Sequence, residues 1–575
     1  MARKILEGVI IAVFFLIFLS IFVKVETRTN AEEVHLEVSN IPMSFAAERE
    51  LDNIINGSLA EGYSHVEMAI SENYTIKAKK VIEVKTQGTV IVPLVYTPNI
   101  HFDNITIKNA KLLKASILIT EYRTILLLKL EVPEGRRARI DIKYWGKICE
   151  SCEDKSLGRE LNYLFVRWRS RDEIELSQGF FLPVEGNKIP ITKISLKLPK
   201  AWEGWKGIAL KCVCDDVCDE CLPLEFRKYN EELRLEDHIF NTFMVIIGNF
   251  KVEQFTVNNV NVTMYLSRNA SSNYTRVVED IIETFSSLYQ PYPYQKLTIV
   301  FSRNFLPHSG GNFNYVVLVV PNASPSLLAH EISHSWFGHY AKLRRIHESL
   351  ATYSAHLFAL QFYERHPEEL KRYNMTLSEA LDYSEKQIIT YSHNYTKPLA
   401  RVYIEGILDP RIRNAIQYMK GAFVFRSLQF VLGNETFFEG LRELLKECHG
   451  RECNLTDVQD VFEKVSGQDL DWFFEEWFYT AKLPDYEVEN LSVTQRDDKY
   501  FLTFEIIDKN KFTMPVEVEV MTSKEKLVKK VWIKGKAKVS FELNDKPTKI
   551  TLDPNEWMIN ENKKYNAKEI EIEIN

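Results

Sequence analysis

Residues 328–350 read LAHEISHSWFGHYAKLRRIHESL and hold four of the chain's thirteen histidines together with two glutamates. His330 and His334 are four apart, so on a helix their imidazoles stand on one face, about a turn from each other. Two nitrogens placed in that way can share a Zn²⁺ at about 2.0–2.1 Å each. Glu331 falls about 100° further round the helix, beside such a metal rather than on it. From there a carboxylate can take a proton from water whose pKa a bound zinc has lowered towards about 7. An amphipathic helix with exposed histidines would show the same spacing with no metal, and a third ligand separates the two cases. A hydrolytic zinc takes three protein ligands and leaves one position open for water. Glu348, early on a second helix expected to begin near His347, ranks first for that place, ahead of His339, His347, Glu364 and His308.

HEISHSWFGH followed by HESLATY resembles the zinc aminopeptidases of the aminopeptidase N-like, gluzincin type. Their helix reads His-Glu-x-x-His-x-Trp-Phe-Gly, and their third ligand lies in Asn-Glu-Gly-x-Ala-x-Tyr. The resemblance implies one catalytic Zn²⁺ on His330, His334 and Glu348, with Glu331 as general base. YMKGAFVFRSL, residues 418–428, is similar to the family's Tyr-x-Lys-Gly motif. That likeness implies that Tyr418 stabilises the oxyanion, a role worth a few kcal/mol for a donor aimed at a tetrahedral intermediate. FMVIIGNFKVEQF and YQPYPYQKLTIVF resemble the family's lead-in to its catalytic domain, and SGQDLDWFFEEWFYTAKLPDY resembles that domain's end, so the likeness runs over roughly residues 240–485. No counterpart of the family's C-terminal helical solenoid is expected.

Two departures bear on substrate. Thirteen residues separate His334 from Glu348, five fewer than is usual in the family, which shortens one wall of the cleft. The family's exopeptidase loop, Gly-x-Met-Glu-Asn, corresponds to GGNFN at 310–314. Gly310, Gly311 and Asn314 match, but Phe313 stands where the family's glutamate grips the substrate's free α-amine. An apolar ring cannot pair with an ammonium group, although backbone contacts from this loop to an extended peptide remain available.

The elements that must position these residues follow from periodicity. From about 34 to 266 the pattern alternates every two residues (HVEMAI, YTIKAKKVIEV, TVIVPLVY, TILLLKLEV), which predicts a large antiparallel β domain. From 267 to 484 helical stretches take over: TRVVEDIIETFSSLY, SLLAHEISHSWFGHYAK, ESLATYSAHLFALQFYERH and AIQYMKGAFVFRSLQFVLG, with KLTIVF and YVVLVV as strands between them. This segment is expected to be a thermolysin-like α/β catalytic domain. After Pro484 alternation returns, and residues 485–575 are expected to form a small C-terminal β-sandwich. A chain of 575 residues is too long for one core, and a multidomain α+β protein fits that length. A formal charge of −7 argues against a nucleic-acid partner, and the family resemblance implies peptides as the substrates.

GVIIAVFFLIFLSIFV, residues 8–23, carries no charge. With Ile5, Leu6 and Glu7 before it, the stretch 5–23 is expected to be an uncleaved signal anchor, because no small-residue cleavage site precedes Lys24. Residues 1–4 would then be cytoplasmic, 24–33 a linker, and the rest of the chain outside the cell membrane. Twelve of the 35 asparagines head an Asn-x-Ser/Thr sequon, a density that points to an exported chain. Eight cysteines in such a chain suggest disulfides, with Cys448 and Cys453 in CHGREC closing on each other. Among the upstream six, two C-x-x-C pairs could instead hold a structural zinc. The reading is a membrane-anchored, outward-facing zinc metallopeptidase, first an aminopeptidase. Its competitors are a peptidase that needs no free N-terminus and a non-catalytic scaffold of the same fold.

Overall fold

The computed structural model describes residues 33–36, 41–45, 60–149, 169–370, 388–390, 392, 395–561 and 570–571. Short breaks interrupt the long stretches at 98, 120–123, 171, 185–187, 215–217, 230–231, 240–242, 268–273, 304–309 and 408. The expected anchor at 5–23 and most of the linker lie outside the described residues. Among those described, no helix is long and apolar enough to cross a membrane.

The chain divides into two compact units, 1–250 with 303–306, and 251–302 with 307–575. The first unit is built of strands. An eight-stranded sheet has at its middle Ala138–Lys147, Thr75–Val84, Gly62–Ile70 and Ile191–Lys197, and sheets of four and five strands accompany it. Alternation buries one face: Val66, Met68 and Ile70 are inside while Glu67 and Ala69 are outside. The sheets are not wholly antiparallel, since Ile191–Lys197 runs parallel to Gly62–Ile70 and Met43–Phe45 parallel to Lys111–Ile119. Two-residue periodicity tells which face is buried but not which way a neighbour runs. The register of one hairpin sets Cys212 opposite Cys221 and Cys214 opposite Cys218. Cys149 is disulfide-bonded, which removes it from the alternative thiolate set.

The second unit carries the histidine run. Its first sheet follows the order Lys251–Val257, Val260–Leu266, Lys296–Phe301, Val316–Val319, Gly310–Phe313. The expected boundary at 266 is therefore displaced: Val260–Leu266 pairs in parallel with Lys296–Phe301, so the last two alternating strands belong with the helices. Alternation alone could not assign them to a sheet. The long helices are α1 (Tyr274–Leu288), α2 (Pro325–Ser333), α3 (Ile346–Arg365), α4 (Gly421–Leu432), α5 (Asn434–Glu447) and α6 (Leu455–Ser466). Val278, Ile282 and Phe285 of α1 share one core with Leu328 and Ile332 of α2, Phe358 and Phe362 of α3, and Ile299 and Val317 of the sheet.

The C-terminal strands form one seven-stranded sheet rather than two separate ones. Its halves are joined at a single bridge, Lys534 with Lys536, and both halves turn apolar residues (Leu502, Phe504 and Ile506; Val516, Val518 and Val520) into the core the helices use. That shared core is why the expected boundary at 484 does not separate two units. Hydrogen bonds from Arg426 to Glu556 O and from Ser427 to Trp557 O fasten α4 to the segment that follows the Pro547–Leu552 strand.

Candidate metal centre

Helix α2 starts where Ser324 accepts a hydrogen bond from Leu327 N at 3.1 Å, with Pro325 preset in the first turn. It ends sooner than the helical pattern over 326–342 suggested, for His334 is already the C-cap. Trp336 and Phe337 are the reason. Both are fully buried, Trp336 edge-on to Phe285 and donating its indole N–H to Gln290 O at 3.0 Å, and the chain turns to put them there. Gly338 completes the turn at φ +146°, a conformation that other residues rarely adopt. Residues 335–345 are therefore a string of turns that delivers the chain to α3.

Helix α3 begins at Ile346, with Glu348 in its first turn, as expected. Three side chains then converge. His330 Nε2 and His334 Nε2 are 3.2 Å apart, and Glu348 Oε2 lies 3.4 Å from the first and 3.3 Å from the second. All three groups are largely buried, and Glu348 Oε2 has no hydrogen-bond partner. A tetrahedral site with bonds of about 2.0–2.1 Å sets its ligand atoms about 3.3–3.4 Å apart. The triangle thus fits a Zn²⁺, and an orphaned buried carboxylate oxygen between two imidazoles is otherwise costly. The other ring nitrogens are occupied: His334 Nδ1 faces Phe337 O at 3.3 Å and His330 Nδ1 faces Thr352 Oγ1 at 3.4 Å. Such contacts orient a ligating imidazole with its Nε2 towards the metal.

Glu331 is 5% exposed, next to this triangle but not part of it. Burial pushes its carboxyl up to about 7, the His330 charge opposing and the Glu348 charge adding. Tyr418 comes from a π-helical turn, Asn414–Lys420, where a continuous α-helix over 415–433 was expected. Single π-turns are frequent at functional sites. Its ring lies parallel to that of His330, 5.8 Å between centroids, and its hydroxyl is near enough to Glu348 to feel that carboxylate's charge. Burial and the Glu348 charge hold the phenol well above its usual pKa, so it keeps its proton.

A close approach of Gly421 to the Ser349 side chain brings Tyr418 near Glu348. A Cβ on Gly421 would sit 2.0 Å from Ser349 Oγ, so glycine is required where the π-turn meets α3. Ser349 Oγ donates to Gln417 O at 2.6 Å, and Gln417 Nε2 donates to Arg345 O at 3.2 Å. These bonds lock the turn before α3 to the turn carrying Tyr418.

The Gly310–Phe313 strand pairs with Val316–Val319 on one side and is the last strand of its sheet. Asn314 turns the hairpin at φ +70°, a conformation that asparagine tolerates. The side chain of Phe313 lies outside the described residues. Asn312, which sequence reasoning passed over, ties this strand to α2: its amide donates to Glu331 O at 2.6 Å and Ser335 Oγ at 3.3 Å. Only its place in the loop, two before the Asn314 that matches the family motif, could have drawn attention to it. Of the alternative ligands, His339 Nε2 faces Asn312 O at 3.1 Å and His347 Nε2 is 3.6 Å from Glu348 Oε1, so neither joins the triangle. Among the described residues Glu364 joins no such group, and His308 lies outside them.

Residues 274–477 match the model of the peptidase family M1 domain. Those limits enclose the triangle, Glu331 and Tyr418. Aminopeptidase M1-A of Oryza sativa subsp. japonica is 25% identical over 319 residues, covering 50% of this chain and 35% of that protein. Tricorn protease-interacting factor F2 of Thermoplasma acidophilum is 23% identical over 304 residues, 48% of this chain and 37% of that one. The chain thus spans a little over a third of the length of these curated relatives. A solved structure, Legionella pneumophila aminopeptidase A in complex with aspartic acid, aligns with a TM-score of 0.47 at 14% identity, covering 86% of this chain and 58% of the other.

Proposed function

We propose that this protein is a zinc metallopeptidase, an aminopeptidase by preference, whose M1 domain hydrolyses peptide bonds with His330, His334 and Glu348 as ligands. The observation that carries this reading is the triangle of three ligand atoms 3.2–3.4 Å apart, with Glu331 beside it and the Tyr418 ring parallel to His330. Zinc bound there would polarise the scissile carbonyl and acidify water. Glu331 takes the proton of the attacking water and delivers it to the departing amine as the new C–O bond forms and the C–N bond breaks. Tyr418 donates a hydrogen bond to the carbonyl oxygen as negative charge develops on it. An extended substrate can pair with the outer edge of the Gly310–Phe313 strand.

A second reading has a specific residue in its favour. Phe313 replaces the carboxylate expected to hold a free α-amine, which suits a peptidase that also accepts blocked or internal bonds. For location, the anchor at 5–23 with the M1 domain outside the cell is part of the proposal. Exposed sequon asparagines (Asn73, Asn261, Asn322, Asn434 and Asn490) and the Cys448–Cys453 disulfide support it. Asn454 is neutral evidence, because its side chain caps α6. The test is Glu331→Gln. It should leave one zinc bound and the fold intact while slowing hydrolysis by about a hundred- to ten-thousandfold, and hydrolysis at the normal rate would overturn the mechanism.

A further inference from the structure

His330 and His334 need only one helical turn to stand together, but Glu348 reaches them through the turns of 335–345. Those turns are gripped from two sides. On one, His339 meets Asn312 O, and Asn312 in turn holds Glu331 O. On the other stands the loop closed by Cys448–Cys453, five positions apart and both fully buried. Cys453 N donates to Lys342 O at 2.8 Å and Lys342 N donates to Cys448 O at 3.4 Å, so the two half-cystines hold both backbone polar groups of one linker residue. Inside the loop, the His449 ring stacks on Tyr340 at 4.1 Å with its Nδ1 3.3 Å from Tyr340 O, and Ala341 bridges to His449.

The loop is itself fixed. It joins the end of α5 to the start of α6, where Asn454 and Asp457 form a reciprocal cap. Gly440 of α5 packs so close to Phe462 of α6 that an added Cβ would meet the ring at 2.4 Å. A crosslink that closes so short a ring constrains the unfolded chain less than a long one would, so its action is mainly local. Outer contacts that orient a ligand commonly change metal affinity by about ten- to a hundredfold.

We propose that the Cys448–Cys453 loop is a positioning clamp that sets Glu348 against the two histidines by holding Tyr340–Lys342. This rests on the three-ligand reading above. The test uses the full chain with Cys448→Ala and Cys453→Ala together, and follows zinc release into excess chelator well below the unfolding temperature. Release should be about tenfold faster or more. In the metal-free protein, amides of 340–343 should lose exchange protection while those of α2 keep theirs. In a Glu348→Ala background the loop variant should accelerate release no further, because the clamp acts through that carboxylate. His449→Ala keeps the disulfide and should move release in the same direction by less, and it carries the test should the double variant fail to fold. Unchanged release, or equal acceleration with and without Glu348, would overturn the clamp. If zinc binding by the unmodified protein did not need Glu348, the three-ligand reading itself would fall.

Discussion

Helix α2 and the meeting of α3 with the π-turn solve one problem in different ways. On α2, His330 and His334 are brought together by 3.6 residues per turn, and the pairing is complete within five residues. Glu348 and Tyr418 are 70 positions apart, and nothing local joins them. Their placement near each other depends on a glycine that leaves room for the Ser349 side chain, on the Ser349 and Gln417 hydrogen bonds, and on a turn wound one residue wider than an α-helix. Half of the site is therefore a property of one helix and half a property of the packed domain. The helix half should resist distant mutation, and the packed half should not.

Either half of the site can be disrupted on its own. The largest effect is expected from His330→Ala, which removes a ligand from the rigid pair and should abolish measurable zinc binding. Glu348→Ala should weaken binding by several orders of magnitude but leave a weak two-histidine site. Zinc titration in a metal buffer distinguishes these, and full affinity in the Glu348 variant would move the third ligand elsewhere. His339→Ala, outside the triangle, should leave the site three-coordinate.

Gly421→Ala attacks the packed half alone. Its methyl group would meet Ser349 Oγ at 2.0 Å and Ser349 Cβ at 2.6 Å, so overpacking should cost about 1–3 kcal/mol or more of stability. Chemical denaturation should record that loss, and activity at full occupancy should fall with it because Glu348 and Tyr418 move apart. Stability and activity both unchanged would show that the close approach does not matter. Tyr418→Phe is smaller and more selective: kcat should fall about a hundredfold or more with KM little altered, as for a contact made only in the transition state.

The smallest effect concerns the substrate strand. Phe313→Glu should raise kcat/KM on peptides with a free N-terminus by about ten- to a hundredfold over their acetylated counterparts, from one charge-assisted contact worth about 1.5–3 kcal/mol. Strict rejection of acetylated peptides by the unmodified protein would show that another carboxylate already holds the amine.

What was legible in the sequence follows the same division. The His330, Glu331 and His334 arrangement could be read directly, since helical spacing is a local property. Glu348 and Tyr418 were reached through motif likeness, and the geometry that joins them was not legible: Gly421 and Ser349 give no sign at a distance that they touch. The early end of α2 was missed because Trp336 and Phe337 continue a helical pattern while the core pulls them out of it. In the strand regions, alternation gave burial correctly but not sheet membership, so Val260–Leu266 was placed with the wrong domain. Asn312 was overlooked because its importance lies in a bond to Glu331 O, which no residue pattern announces.

The most direct test of the account is a zinc-edge anomalous difference map from crystals of the unmodified protein. One peak is predicted, about 2.0–2.1 Å from His330 Nε2, His334 Nε2 and Glu348 Oε2. A map with no peak between these three atoms, or with the ion held by other residues, would contradict it.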